Sequence, residues 1–98
     1  MYTEIERRTI NQATMQETIE RAQKEFFPKV QQAPGLLDFY IVIDEENSIN
    51  TAIIIWESKA HADAFEEPEK ASGNWRQTLD QLGHIVQSDN RGETFKEV

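Results

Sequence analysis

Ala33-Pro34-Gly35-Leu36-Leu37-Asp38-Phe39-Tyr40-Ile41-Val42-Ile43, followed by Ile49-Asn50-Thr51-Ala52-Ile53-Ile54-Ile55-Trp56-Glu57-Ser58, reads as two strands joined by the polar link Asp44-Glu45-Glu46-Asn47-Ser48. Side chains alternate across a strand, so Leu37, Phe39, Ile41 and Ile43 should share one face and Leu36, Tyr40 and Val42 the other. On the second strand Ile49, Ile53 and Ile55 oppose Ala52, Ile54 and Trp56. A hairpin with one solvated face alternates apolar with polar, and this one is apolar on both. The sheet therefore needs two covers. The chain has helices for only one, so the second cover should come from another copy, making a homodimer.

The flanking sequence supplies the remaining elements. Tyr2 to Ile10 reads as a first strand, with Ile5 and Ile10 apolar. Thr14-Met15-Gln16-Glu17 has the capping-box pattern that opens a helix. Met15, Ile19, Ala22, Phe26, Val30 and Ala33 continue it as a helical stripe. Pro28 removes a backbone donor, which predicts a kink or an end near Glu25. Pro34-Gly35 marks the turn into the second strand. After the hairpin, Ser58 should cap a short helix through Ala60, Ala64 and Phe65. Pro68 should open another, burying Ala71, Trp75, Leu79 and Leu82 and stopping at Gly83. His84 to Ser88 reads as a strand, Asp89-Asn90-Arg91-Gly92 as a turn or bulge, and Glu93 to Glu97 as extended chain. The order is strand, helix, strand, strand, helix, strand in a single domain over residues 1–98, without internal repeats or linkers.

Composition narrows the function. A chain of 98 residues fits one domain, and a domain this small gains from oligomerisation. Its 18 acidic and 10 basic residues give a net charge of −8. That disfavours nucleic acid, whose binding needs a Lys/Arg patch to displace counterions. Without cysteine there can be no disulfide, thiolate nucleophile or Cys-ligated metal. No apolar run reaches membrane-spanning length, and Met1 to Glu6 lacks the charged and apolar regions of a signal peptide. The expectation is a soluble cytoplasmic protein with neither a membrane nor a nucleic-acid partner.

Few residues announce chemistry. His61 and His84 show no metal-binding spacing, so no metal site is expected; either could move a proton near neutral pH. The isolated glycines and the lack of G-x-S-x-G or P-loop patterns leave hydrolase and nucleotide-binding readings unsupported. Glu45-Glu46 and Glu66-Glu67-x-Glu69 read as solvated acidic runs. Phe26, Phe39, Tyr40, Trp56, Phe65 and Trp75 either fill a core or wall a pocket for a flat aromatic ligand. In the second case Tyr40, Trp56, Trp75, Asn74 and His61 would supply its polar groups.

The pattern Pro34-Gly35-Leu36-Leu37-x-Phe39-Tyr40, then an Ile-rich strand ending in Trp56-Glu57-Ser58-Lys59-Ala60, resembles the antibiotic biosynthesis monooxygenase family, and the order of elements agrees over nearly the whole chain. The resemblance implies an α+β, ferredoxin-like βαββαβ antiparallel sheet with helices on one face. Two subunits of that family pack sheet against sheet as a dimeric α+β barrel, with a pocket between sheet and helices in each. The family's haem-degrading branch carries an Asn on the first strand and a Trp and His on the helix after the hairpin. Here Glu6-Arg7-Arg8, Phe65-Glu66-Glu67-Pro68 and Thr78 occupy those places, so haem breakdown is not expected.

Two functions follow. One is a cofactor-independent monooxygenase of a small aromatic, phenolic or quinol substrate, with His61, His84 or Tyr40 as catalytic groups and Trp56, Phe65, Asn74 and Trp75 lining the site. The other is a non-catalytic homodimer that binds a small ligand or regulates. A ligand-sized apolar cavity with inward polar groups would favour the first, and a filled core the second.

Overall fold

The computed structural model describes residues 1–71 and 75–95, the side chains of 68–71 excepted. Strand β1 (Tyr2–Thr9) leads through a 3-10 turn (Gln12–Thr14) into α1 (Met15–Arg21). A π-helical segment (Ala22–Phe26) joins α1 to α2 (Phe27–Gln31). Then come β2 (Leu36–Asp44), β3 (Ile49–Trp56), α3 (Lys59–Ala71), α4 (Trp75–Gln81) and β4 (Val86–Glu93). The four strands form one antiparallel sheet in the order β2-β3-β1-β4. This is the α+β ferredoxin-like arrangement expected.

Register fixes the two faces. Tyr2, Glu4, Glu6 and Arg8 lie opposite Trp56, Ile54, Ala52 and Asn50, and this face meets the helices. Phe39, Ile41 and Ile43 pair with Ile54, Ala52 and Asn50 on the same side. Ile5, Tyr40, Val42, Ile53 and Ile55 occupy the other, which none of the described helices covers. An irregularity between Leu36 and Asp38 shifts the register, so Leu36 sits opposite Trp56 on the helix side while Leu37 is exposed. The simple alternation expected for Leu36 and Leu37 is thus reversed by a bulge.

The helices depart from expectation where a proline or a cap decides. A kink or an end was expected near Glu25, and the α-helix is interrupted there by a π-helical turn without the chain leaving the helix. The π-helical segment carries the chain forward so that Pro28, which has no N–H, falls in the first turn of α2, where none is needed. Asn11, not Thr14, caps the entry: its Oδ1 accepts from Ala13 N at 3.1 Å, while the Thr14 hydroxyl donates to the Leu82 carbonyl at 2.6 Å. Ser58 caps α3 as expected, its Oγ accepting from His61 N at 3.3 Å. Pro68 does not begin a new helix, because α3 runs through it to Ala71. The carbonyl that Pro68 cannot bond belongs to exposed Ala64, within reach of water.

Gly83 ends α4 with φ +87°, and the bonds Gly83 N to Asp80 O and His84 N to Leu79 O close the helix. Strand β4 begins at Val86 and pairs without interruption through Asp89-Asn90-Arg91-Gly92, where a turn or bulge was expected; its irregularity falls earlier, between Val86 and Ser88. Asp89 and Arg91 pair opposite Glu6 and Glu4 on the helix side, so their charges are used within the sheet and do not break it. Among the described residues no helix is long and apolar enough to cross a membrane.

Candidate functional site

Helix packing on this sheet leaves a cavity of about 370 Å³ between β1–β3 and α1, the π-helical segment and α4. Its walls are mostly apolar: Ile19, Phe26, Phe27, Ile41, Ile54, Phe65, Trp75 and Leu79 contribute. The rings hold one another. Phe26 stacks on Trp75 at 5.5 Å and 11°, and meets Phe39 edge-on at 5.9 Å. Phe65 bridges to Trp56 at 5.4 Å. A flat ligand would find ring faces and edges already oriented.

Polar groups enter the cavity chiefly from β1, whose inward positions read Tyr2, Glu4, Glu6 and Arg8. Glu4 is 5% exposed, and its Oε1 accepts from Trp56 Nε1 at 2.7 Å. Burial, first, and then a hydrogen bond to the Glu66 carboxylate push its pKa from 4.5 up to about 7. The protonated Glu4 carboxyl is the donor in that bond. Glu66 is held ionised below its ordinary range. Burial opposes this, but the Glu4 proton and two arginines outweigh it. Arg91 Nη1 donates to Glu66 Oε2 at 2.5 Å and Arg76 Nη2 to Oε1 at 3.0 Å. Both guanidinium groups also approach Glu4 Oε2, at 3.5 and 3.7 Å. A carboxyl pair sharing one proton, set between two cations at the wall of an apolar cavity, can take up or release a proton near neutral pH.

At the far end, Arg8 is 2% exposed and bonds Glu6 at 2.5 Å, Asp80 at 2.7 Å and the His84 carbonyl at 2.7 Å. Asn50 Oδ1 is buried at the cavity wall without a hydrogen-bond partner among the described residues. An orphaned acceptor is costly, and a ligand hydroxyl could satisfy it.

The residues proposed from sequence scatter. Phe65 and Trp75 line the cavity. Trp56 is fully buried beside it, its indole N–H donated to Glu4. Tyr40 lies on the uncovered face, opposite the cavity, because its register partner is Ile53. Asn74 lies outside the described residues. His61 sits at the start of α3, its Nδ1 2.7 Å from Ser58 Oγ and its ring against Gly35.

His84 is buried and committed elsewhere. Its Nδ1 accepts from Asn11 N at 3.1 Å, so the proton of the neutral ring is on Nε2 and donates to Thr18 Oγ1 at 2.7 Å. That hydroxyl in turn donates to the Thr14 carbonyl at 2.8 Å. Burial and nearby Arg8 lower the His84 pKa, holding the ring neutral. Both ring nitrogens are occupied by structural bonds.

Glu4, Asn50 and Arg76 were not singled out from sequence, and Glu66 was read only as part of a solvated acidic run. Glu66 does not belong to a solvated run: it turns inward while Glu67 stays exposed. The available signal was the period-two series Tyr2-Glu4-Glu6-Arg8, which places three charged residues on one face of a central strand.

No protein-family model matches the chain, and no curated protein matches it significantly. Solved structures do share its fold. A structure of an antibiotic biosynthesis monooxygenase superimposes with a TM-score of 0.70 at 16% identity, covering 100% of both chains. A monooxygenase from the gene ActVA-Orf6 of Streptomyces coelicolor, solved with the ligand nanaomycin D, gives 0.73 at 15% identity over 99% of this chain and 88% of that one. A dimeric ferredoxin-like protein from an uncultured marine organism gives 0.69 at 12% identity over 99% and 96% of the two chains. The fold is that of structures named antibiotic biosynthesis monooxygenases, the same group the sequence pattern resembles.

Proposed function

We propose that this chain is a cofactor-independent monooxygenase of a flat phenolic or quinol substrate, working as a homodimer. The supporting observation is the ring-walled cavity with polar groups on its wall, the feature that separates this reading from a filled-core regulatory dimer. Its volume lies within the range for small-molecule pockets, and its ring faces suit a planar ligand.

The chemistry needs no electron carrier if the substrate supplies the electrons. Loss of the phenolic proton gives an electron-rich anion. One-electron transfer to O₂ and recombination at the ring carbon para to the oxygen form a peroxide, which takes up a proton. Loss of water across the C–H and O–O bonds of that carbon leaves a quinone carbonyl. One phenol and one O₂ thus give one quinone and one water, and the substrate provides all four electrons. The protein contributes orientation, exclusion of water and hydrogen bonds to the developing anion.

Oxygen uptake with a panel of quinols and polycyclic phenols tests this, alongside quenching of Trp75 fluorescence by the same compounds. Uptake above the uncatalysed rate with quenching is expected. Quenching without uptake would instead support a ligand-binding dimer, and neither effect would remove both readings.

A further inference from the structure

Neither histidine lines the cavity, whereas Glu4 does. We propose that the Glu4–Glu66 pair is the acid–base device of the cavity, with Glu4 taking the proton of a bound phenol and Glu66, Arg76 and Arg91 setting its readiness. This deepens the monooxygenase reading and rests on it for the later steps. The proton transfer itself requires only that a phenol bind.

Geometry carries the assignment. Glu4 and Glu66 both line the cavity, reached from β1 and α3 respectively. The groups facing Glu4 from each packed element are Trp56 on β3, Arg91 on β4, Glu66 on α3 and Arg76 on α4. Glu6 and Asp89 complete the charged surround, each 3.6 Å from Arg76. A lone carboxylate so buried would be held protonated and useless as a base. Burial first, and then the Glu66 carboxylate, oppose the ionised form, while the indole N–H and the Arg91 guanidinium favour it. These opposing influences leave Glu4 poised near neutral pH, where a general base works best.

In the step, the phenol O–H bond breaks and its electron pair stays on the phenol oxygen. The proton forms a new O–H bond on Glu4. Glu4 later returns that proton to the peroxide formed from O₂ and is again a carboxylate, so no net proton is consumed. Glu66 stays ionised throughout, bound by both arginines, and is a positioning residue.

The test separates proton transfer from oxidation by using a cyanonaphthol, a two-ring phenol inert to O₂ whose anion absorbs at longer wavelength. Wild-type protein should bind it and ionise it below the pH at which it ionises in water. Glu4→Gln keeps an acceptor for the Trp56 N–H and a donor for Glu66, so it mimics the protonated state. It should bind the dye within about threefold of wild type but leave it neutral. With an oxidisable quinol it should lower kcat on the order of a hundredfold or more with little change in KM. Glu66→Gln, which removes the neighbouring charge, should move the ionisation limb to lower pH, and a merely structural Glu66 would not.

Dye ionised equally by Glu4→Gln, dye that fails to bind wild type, or a limb unmoved in Glu66→Gln would each overturn the assignment. Ionisation that depends on Glu4 without oxygen uptake by any quinol would uphold the pair and remove the monooxygenase reading.

Discussion

Among the described residues Asn50 Oδ1 is a buried acceptor without a partner, and leaving such a group unsatisfied costs about 1–3 kcal/mol. Asn50→Leu removes the acceptor and keeps an apolar wall. It should raise Tm by a few degrees while weakening phenol binding about tenfold, read by thermal unfolding and Trp75 quenching. A variant that loses stability and binds unchanged would show that Asn50 has a structural partner and does not meet the ligand. His84 makes a second residue-scale prediction. Its pKa is lowered in the fold from 6.5, so the unfolded chain binds more protons between the folded value and 6.5. Its stabilisation is complete above 6.5 and is lost as pH falls towards the folded value. Glu4, whose pKa is raised, acts oppositely: its contribution is complete below 4.5 and lost as pH rises to about 7. Urea midpoints in Glu4→Gln protein should therefore fall between about pH 7 and about pH 5, and less steeply once His84→Gln is added. Equal slopes would show that His84 is not held neutral by its three-bond chain. Neither residue's role was legible beforehand. Spacing cannot show that a histidine's two nitrogens are both spent, or that an asparagine on an isoleucine-rich strand faces a void.

At the level of elements, the order and type of the main strands and helices were legible because each carries its own periodicity. The misreadings cluster where a tertiary partner overrides a local signal. Residues typical of turns, Asp89 to Gly92, sit in an edge strand because Arg76 and Glu66 pair with its charges. Pro68 fails to start a helix, and Pro28 interrupts one near Glu25 without ending it. The π-helical segment that accommodates Pro28 also borders the cavity with Ala22 and Phe26, and π-bulges are frequent at functional sites. Deleting exposed Gln23 should restore α-helical spacing while keeping α1 and α2 on their faces. The expected outcome is a folded protein with unchanged helix content and a narrowed cavity. Circular dichroism would check the first, and loss of phenol quenching the second. Quenching at wild-type strength would mean that the widened turn only makes room for Pro28.

Among the described residues, one sheet face of the molecule has no cover, as the hairpin's two apolar faces anticipated. What the sequence left open was which face that would be, since a one-residue shift exchanges the two. The register answers it: Ile53 joins Ile5, Tyr40, Val42 and Ile55 on the uncovered face, and Ile54 joins the cavity. Tyr40 and Val42 are each 51% exposed in the single chain, and Phe95 is 86% exposed beside a shallow groove formed by Thr3, Ile5 and Asn90. A contiguous apolar patch of this kind marks an association surface, and a second sheet of the same shape is the occupant proposed here. Sedimentation at micromolar concentration should give twice the chain mass. Ile53→Asp would bury a charge without a partner in that interface, a cost large enough to dissociate it. It should sediment as a monomer that keeps its helical signal and its Trp56–Glu4 bond, because the helix side of the sheet is untouched. Ile54→Asp places the same charge between sheet and helices, and should abolish ligand quenching or unfolding cooperativity instead of mass. The two neighbouring substitutions thus report on opposite sides of one strand. A wild-type monomer, or dissociation by Ile54→Asp with Ile53→Asp still dimeric, would refute sheet-face pairing.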